Sequence, residues 1–152
     1  LAELHVDGRG PSVLLSTSAT GYYGSRGDEI LTEDASPGDG FLADVCMDWE
    51  DATRPAREAG VRVVNLRLGV VLTKDGGMLP KLDPLFRFAL GGPIGNGQQW
   101  FPWVHLDDVA EAFAFTLTHE KINGPVNVTA PNPVRNGETK PVLASLYLSG
   151  KN

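Results

Sequence analysis

The sequence has one cysteine, Cys46, in 152 residues, which excludes a disulfide framework and any zinc site built on paired thiolates. Its three histidines, His5, His105 and His119, stand far apart and show no metal-ligand spacing. No stretch approaches the roughly 18 apolar residues of a membrane-spanning helix. The opening LAELHVDGRGPS carries neither the basic nor the apolar region of a secretory signal. Lys and Arg number 13 against 19 Asp and Glu, and they never run together, so the basic stripe that nucleic acid requires is missing. A soluble, cytoplasmic protein with neither a membrane nor a nucleic-acid partner is the expectation. The chain is long enough for one domain that buries about 70% of its unfolded surface.

What is present is an alternation of short apolar runs and amphipathic stretches. Val13–Ser16 reads as a strand covered on both faces. The acidic, turn-rich stretch 25–40, SRGDEILTEDASPGDG, reads as a surface loop. Asp39 offers an N-cap for a helix whose apolar positions are Phe41, Leu42, Val45, Cys46, Trp49, Ala52 and Ala56. Pro55 should kink or shorten that helix and Gly60 should end it. Val61–Leu72 is a second buried strand, broken by Gly69. Leu82–Leu90 fits a short helix and GGPIGNGQQWFPW a loop. A further helix over HLDDVAEAFAFTLTH presents Leu106, Val109, Ala110, Phe113 and Leu117 on one face, and Pro125–Thr129 forms a last strand. Such alternation predicts an α/β fold whose early strands run parallel through right-handed crossovers.

Five motifs stand in a fixed order: STSATGYYG, GFLADVCMDWE, NLRLGVVLTKDGG, GGPIGNGQQWFPWVHLDDVAEAF and GPVNVTAPNPV. From Pro11 to Glu138 the chain resembles the later part of the atypical extended short-chain dehydrogenase/reductases, the sugar-nucleotide epimerase-like proteins. The resemblance implies a partial Rossmann-like doubly wound parallel sheet, its C-terminal half, with part of a small substrate lobe. Residues 1–138 would form this NAD(P)-binding domain without its glycine-rich half, and 139–152 a divergent tail. The implied cofactor is NAD(P), with NADP slightly favoured. The implied activity is that of an epimerase or oxidoreductase moving hydride on nucleotide-sugar or related carbonyl compounds.

Two parts of the family pattern are missing. Gly8 and Gly10 in VDGRGPS follow no strand and precede no helix, so they do not make the phosphate-binding turn of a dinucleotide fold. The resemblance places that turn about 100 residues upstream of the hydroxyl cluster. The Tyr/Lys pair of the superfamily is also absent: aligning on Glu50 puts Leu42 and Cys46 at its positions. The literal Tyr147–Lys151 match contains a glycine and has no strand and loop leading into it.

What remains is the hydroxyl cluster at the end of the first strand, where open α/β sheets bind ligands. By resemblance Ser18 would donate to a carbonyl oxygen and Tyr22 or Tyr23 would supply a proton, with Arg26 close enough in sequence to influence a phenol. Ser16, Thr17, Arg67 and Gly69 fall on the cofactor side, and Gln98, Trp100 and Trp103 on the substrate side. Each has a plain alternative: hydroxyls satisfying a turn, Arg67 in a local ion pair, the tryptophans plugging a core, and Cys46 an inert buried thiol. A chain without the cradle and the Tyr/Lys pair also fits a non-catalytic piece that binds a partner or another copy of itself.

Overall fold

The computed structural model describes residues 10–73, 76 and 95–139. They fall into two compact units, one holding the described residues 10–68 and 109–128 and the other those of 69–108 and 129–139. The expected helix at 82–90, the tail and Tyr147–Lys151 lie outside the described residues.

The first unit is built on three parallel strands in the order β1 (Val13–Ala19), β2 (Arg62–Leu68), β6 (Gly124–Val128). β2 is central and reads RVVNLRL, almost all of it buried, as a strand covered on both faces should be. Its side chains alternate between faces. Leu14 and Val63 pack with Val61 on Ala56 of the short helix α2 (Arg54–Glu58), which also marks the face used by α1 (Phe41–Asp51). Arg62 points the other way: its guanidinium donates to the carbonyls of Thr116 and Leu117 at the end of α3 (Leu106–Thr118) and of Ile122 just beyond it. These carbonyls have no intrahelical donor, and a cation also complements the negative end of the helix dipole.

The structure rotates both amphipathic helices from their expected faces. On α1 the buried residues are Ala43 and Cys46, while Phe41, Leu42 and Trp49 are 78, 66 and 53% exposed. This helix packs on the turn Thr20–Tyr23, where a Cβ on Gly21 would lie 3.5 Å from Leu42 Cβ and 3.7 Å from Cys46 Sγ, ordinary contact distances. On α3 the buried positions are Val109 and Thr116, with Leu106 and Leu117 exposed. The Thr116 hydroxyl is satisfied inside by the carbonyls of Ala112 and Phe113. The N-cap of α1 is Gly40 rather than Asp39, because the backbone there has φ 101°, open to glycine. The helix expected to continue to Ala56 stops after Asp51 and restarts as α2, with Pro55 in the first turn where its missing N–H costs nothing.

In the second unit, β3 (Val70–Leu72) pairs in parallel with β5 (Trp103–His105), and β4 (Trp100–Phe101) pairs antiparallel with β7 (Val134–Arg135). The expected loop around the tryptophans thus contains two short strands. The strand expected over Val61–Leu72 becomes two strands in two sheets, and Gly69 stands at the break. A Cβ on Gly69 would sit 2.8 Å from the Pro102 carbonyl oxygen, the same oxygen that accepts the Val70 N–H at 2.7 Å.

Two stability changes follow from these contacts. Arg62→Met keeps the aliphatic stem but frees the carbonyls at the end of α3, and urea unfolding should show a loss of about 1–3 kcal/mol. Gly69→Ala should lose a similar amount, about 1–3 kcal/mol, by forcing the Pro102 carbonyl to move.

Candidate functional site

Strand register assembles the site. Ser18 lies beside Arg67, and Arg67 beside Asn127, so β1, β2 and β6 present one polar row on one face, near the carboxyl ends of the three strands. Arg67 is the hub, and it is 3% exposed. Its Nε and Nη2 donate to Glu50 Oε1 and Oε2 at 2.8 and 2.9 Å, a two-pronged pair that matches the planar guanidinium. Its Nη1 donates to the Tyr23 hydroxyl at 2.9 Å and to the Glu33 carbonyl at 3.2 Å. The guanidinium carbon lies 3.5 Å from the centre of the Tyr22 ring, and Tyr22 meets Tyr23 edge to face, so the cation is also held by aromatic faces.

The neighbours complete the network. Ser18 Oγ donates to Glu50 Oε1 at 2.8 Å. The Tyr23 hydroxyl donates to Asn127 Oδ1 at 2.7 Å. Asn127 donates from its backbone N–H to Glu33 Oε1 at 2.8 Å and from Nδ2 to the Leu31 carbonyl at 3.2 Å. Glu50 occupies the last turn of α1, where the helix dipole disfavours a carboxylate, and Arg67 offsets that. Burial acts to lower the Arg67 pKa, but the hydrogen bonds with Glu50 and Tyr23, together with their charges, outweigh it and the net shift is upward. A folded-state value above the unfolded one means stability that is full below the unfolded pKa and lost only as pH rises through the folded one. For an arginine that window lies beyond the pH range in which proteins are handled, so Arg67 adds no pH dependence near neutrality.

The chain therefore brings Ser18, Tyr22, Tyr23 and Arg67 together. It does so with the Ser18 proton on Glu50 and the Tyr23 hydroxyl engaged as both donor and acceptor. Ser16 is half-buried beside Asn65, and Thr17 is exposed on the opposite face from Ser18. Arg26 pairs with Glu29 and Ser36 instead of a phenol. In the second unit, Gly69 is approached by the Pro102 backbone. Gln98 is exposed and its carbonyl accepts from Arg135. Arg135 also lies over the Trp100 ring at 4.6 Å. Trp103 Nε1 is buried without a hydrogen-bond partner among the described residues. Among those residues no group of His, Cys, Asp and Glu is arranged to hold a metal, and no helix is long and apolar enough to cross a membrane.

Residues 4–129 match the NAD dependent epimerase/dehydratase family. The chain belongs to that family. An epimerase family protein of Mycobacterium bovis is 47% identical over 129 residues, which is 85% of this chain and 43% of that protein. The crystal structure of a nucleoside-diphosphate sugar epimerase from Corynebacterium glutamicum superposes with a TM-score of 0.85 at 47% identity, over 95% of this chain and 31% of that one. Human epimerase family protein SDR39U1 (isoform 2), solved with NADPH, gives 0.72 at 29% identity, over 90% of this chain and 47% of that one. This epimerase-family chain thus spans less than half the length of these relatives, and its fold is part of a Rossmann-type α/β domain.

Three members of the network, Glu50, Asn127 and Glu33, are absent from the residues singled out by sequence. Asn127 carried a usable signal, since it is a lone amide inside the apolar strand GPVNV, as Arg67 is a lone cation inside VVNLRLGVV. Glu33 carried none, being one acid among many in its loop.

Removing one partner of the buried pair should be costly. Arg67→Met leaves Glu50 without its cation, and chemical denaturation should show a loss of about 3–5 kcal/mol. Arg67→Met combined with Glu50→Leu should cost clearly less than the sum of the two single changes.

Proposed function

We propose that this chain carries the carboxyl-side part of the ligand corner of an NAD(P)-dependent epimerase or oxidoreductase that acts on nucleotide-sugar or related carbonyl compounds, with NADP slightly favoured. The observation that supports this most is the placement of the Ser18–Arg67–Asn127 row, with both tyrosines, near the carboxyl ends of parallel strands, where open α/β sheets take their ligands. Ser18, Tyr22 and Tyr23 are assigned to the reacting end. Because its proton lies on Glu50, Ser18 would meet a ligand with its oxygen lone pairs, not as the donor the resemblance implies. Tyr22 is the phenol assigned to proton transfer, since Tyr23 is taken on both sides. Ser16 and Thr17 are assigned to the cofactor side.

The described residues do not fit the diphosphate of a dinucleotide. No strand among them leads through a glycine-rich turn into a helix. α1 starts at Gly40, but Asp39 and Asp44 stand at its entrance and oppose an anion. By itself the chain is therefore proposed to hold a dinucleotide weakly and to turn over no substrate.

A second reading is favoured by one feature. Phe41, Leu42 and Trp49 form an exposed apolar stripe on α1, larger than isolated surface hydrophobics require. Association with a partner or with another copy of the chain would cover it. Sedimentation equilibrium should then show a concentration-dependent mass that Trp49→Asp reduces, and a strictly monomeric parent chain would remove the self-association reading.

For the first reading, titration of the isolated chain with NADPH should give no micromolar binding. At millimolar NADPH, amide NMR shifts should concentrate at Thr17, Ser18 and Tyr22. Micromolar affinity would contradict the missing cradle, and shifts confined to other residues would remove this corner as the ligand-facing one.

A further inference from the structure

The sequence holds three Asn-Gly pairs, Asn96–Gly97, Asn123–Gly124 and Asn136–Gly137. In such a pair the glycine nitrogen reaches the asparagine side chain unhindered, since no Cβ stands beside it. The three are alike as dipeptides, and the fold treats them differently.

Two are held. The Gly137 N–H donates to the Gly97 carbonyl at 2.9 Å. Asn136 is pinned as well: its N–H donates to the Gln99 carbonyl at 2.9 Å, and its own carbonyl accepts the Thr139 hydroxyl at 2.9 Å. Gly124 opens β6 opposite Val64. Pro125 follows it and has no N–H, so the Gly124 N–H is the donor that this end of the parallel ladder turns toward β2. The Arg62 guanidinium holds the Ile122 carbonyl just before Asn123. A nitrogen engaged as a donor attacks only after its hydrogen bond opens.

Asn96–Gly97 is arranged otherwise. Asn96 is exposed and lies between Gly95 and Gly97, both left-handed with φ 59° and 70°. Its Oδ1 accepts the Gln98 N–H at 3.0 Å, an Asx turn that folds the side chain back along the main chain past the Gly97 nitrogen. The same donor stands where negative charge develops when the side-chain carbonyl is attacked. Gly97 is buried, with Gly137 packed at its carbonyl. Its N–H has no hydrogen-bond partner among the described residues, and an N–H left unpaired has to meet water.

We propose that Asn96 is a site of spontaneous deamidation selected by the fold from three equivalent dipeptides. The Gly97 nitrogen gives its proton to hydroxide and forms a bond to Asn96 Cγ. The bond from Cγ to Nδ2 breaks and ammonia leaves. Water then opens the cyclic imide at either carbonyl, to aspartate or to isoaspartate, so that amide and water become carboxylate and ammonium with no redox partner. Isoaspartate routes the main chain through the side-chain carbon, immediately before the three carbonyls, of Gly97, Gln98 and Gln99, that tie this turn to Gly137, Arg135 and Asn136. The modification therefore loosens the β4–β7 hairpin. It makes no use of the ligand corner and stands apart from the function proposed above.

The test incubates the whole chain in mildly alkaline buffer, folded and in urea, and follows each pair by peptide mass spectrometry with enzymatic methylation of isoaspartate. In the folded chain Asn96 should convert about fivefold or more faster than Asn123 or Asn136, the factor that one backbone hydrogen bond is worth. In urea the three rates should converge. Asn96→Gln, which lengthens an exposed side chain, should abolish the fast phase of ammonia release. Hydrogen exchange at the Gly137 and Asn136 amides should speed up in the isoaspartyl form. Equal rates in the folded chain, or Asn123 or Asn136 ahead, overturn the proposal. So does an Asn96 lead that persists undiminished in urea, or a fast phase that survives Asn96→Gln.

Discussion

The pairing of Arg67 with Glu50 is the constraint on which the rest of the first unit depends. A guanidinium in the central strand of a parallel sheet is admissible only if its charge and its donors are met. Glu50 meets two donors from the last turn of α1, Tyr23 and the Glu33 carbonyl share a third, and Tyr22 lays its ring on the cation. These groups belong to three pieces of chain, so one side chain ties the helix, the turn after β1 and the acidic loop 25–40 to β2. A buried ion pair is weak evidence of stability in its own right, because desolvation opposes it. Its value here is geometric: it leaves one way to place α1 on the sheet.

That explains the face α1 presents. The sequence offers a strong apolar stripe through Phe41, Leu42, Val45 and Trp49, and hydrophobicity alone would bury it. The structure instead turns Ala43, Cys46 and Glu50 toward the sheet, because Glu50 must reach Arg67 and small residues allow the approach. Large apolar side chains are left outside as a consequence. The same logic applies to α3, where Arg62 holds the helix end and a threonine, satisfied by its own backbone, occupies the buried position.

The polar network has a chemical consequence for the corner. In this chain the serine and one tyrosine of the corner are already committed within the protein. Their hydrogen-bond directions are set by Glu50, Arg67 and Asn127.

Much of this was open to a reader of the sequence, and the division has a physical basis. Period and punctuation determined the first strand, the helix after the acidic loop, the break at Gly69, the interruption at Pro55 and the end at Gly60, because these follow from local backbone preferences. The ordered motifs were enough to point to the epimerase family. Which helical face is buried, which strands share a sheet, and the fact that Glu33, Glu50 and Asn127 converge on Arg67 were decided by tertiary structure alone. Those features arise from contacts between residues as far apart as Glu33 and Asn127, and strand register, which sets them, leaves no trace in local composition.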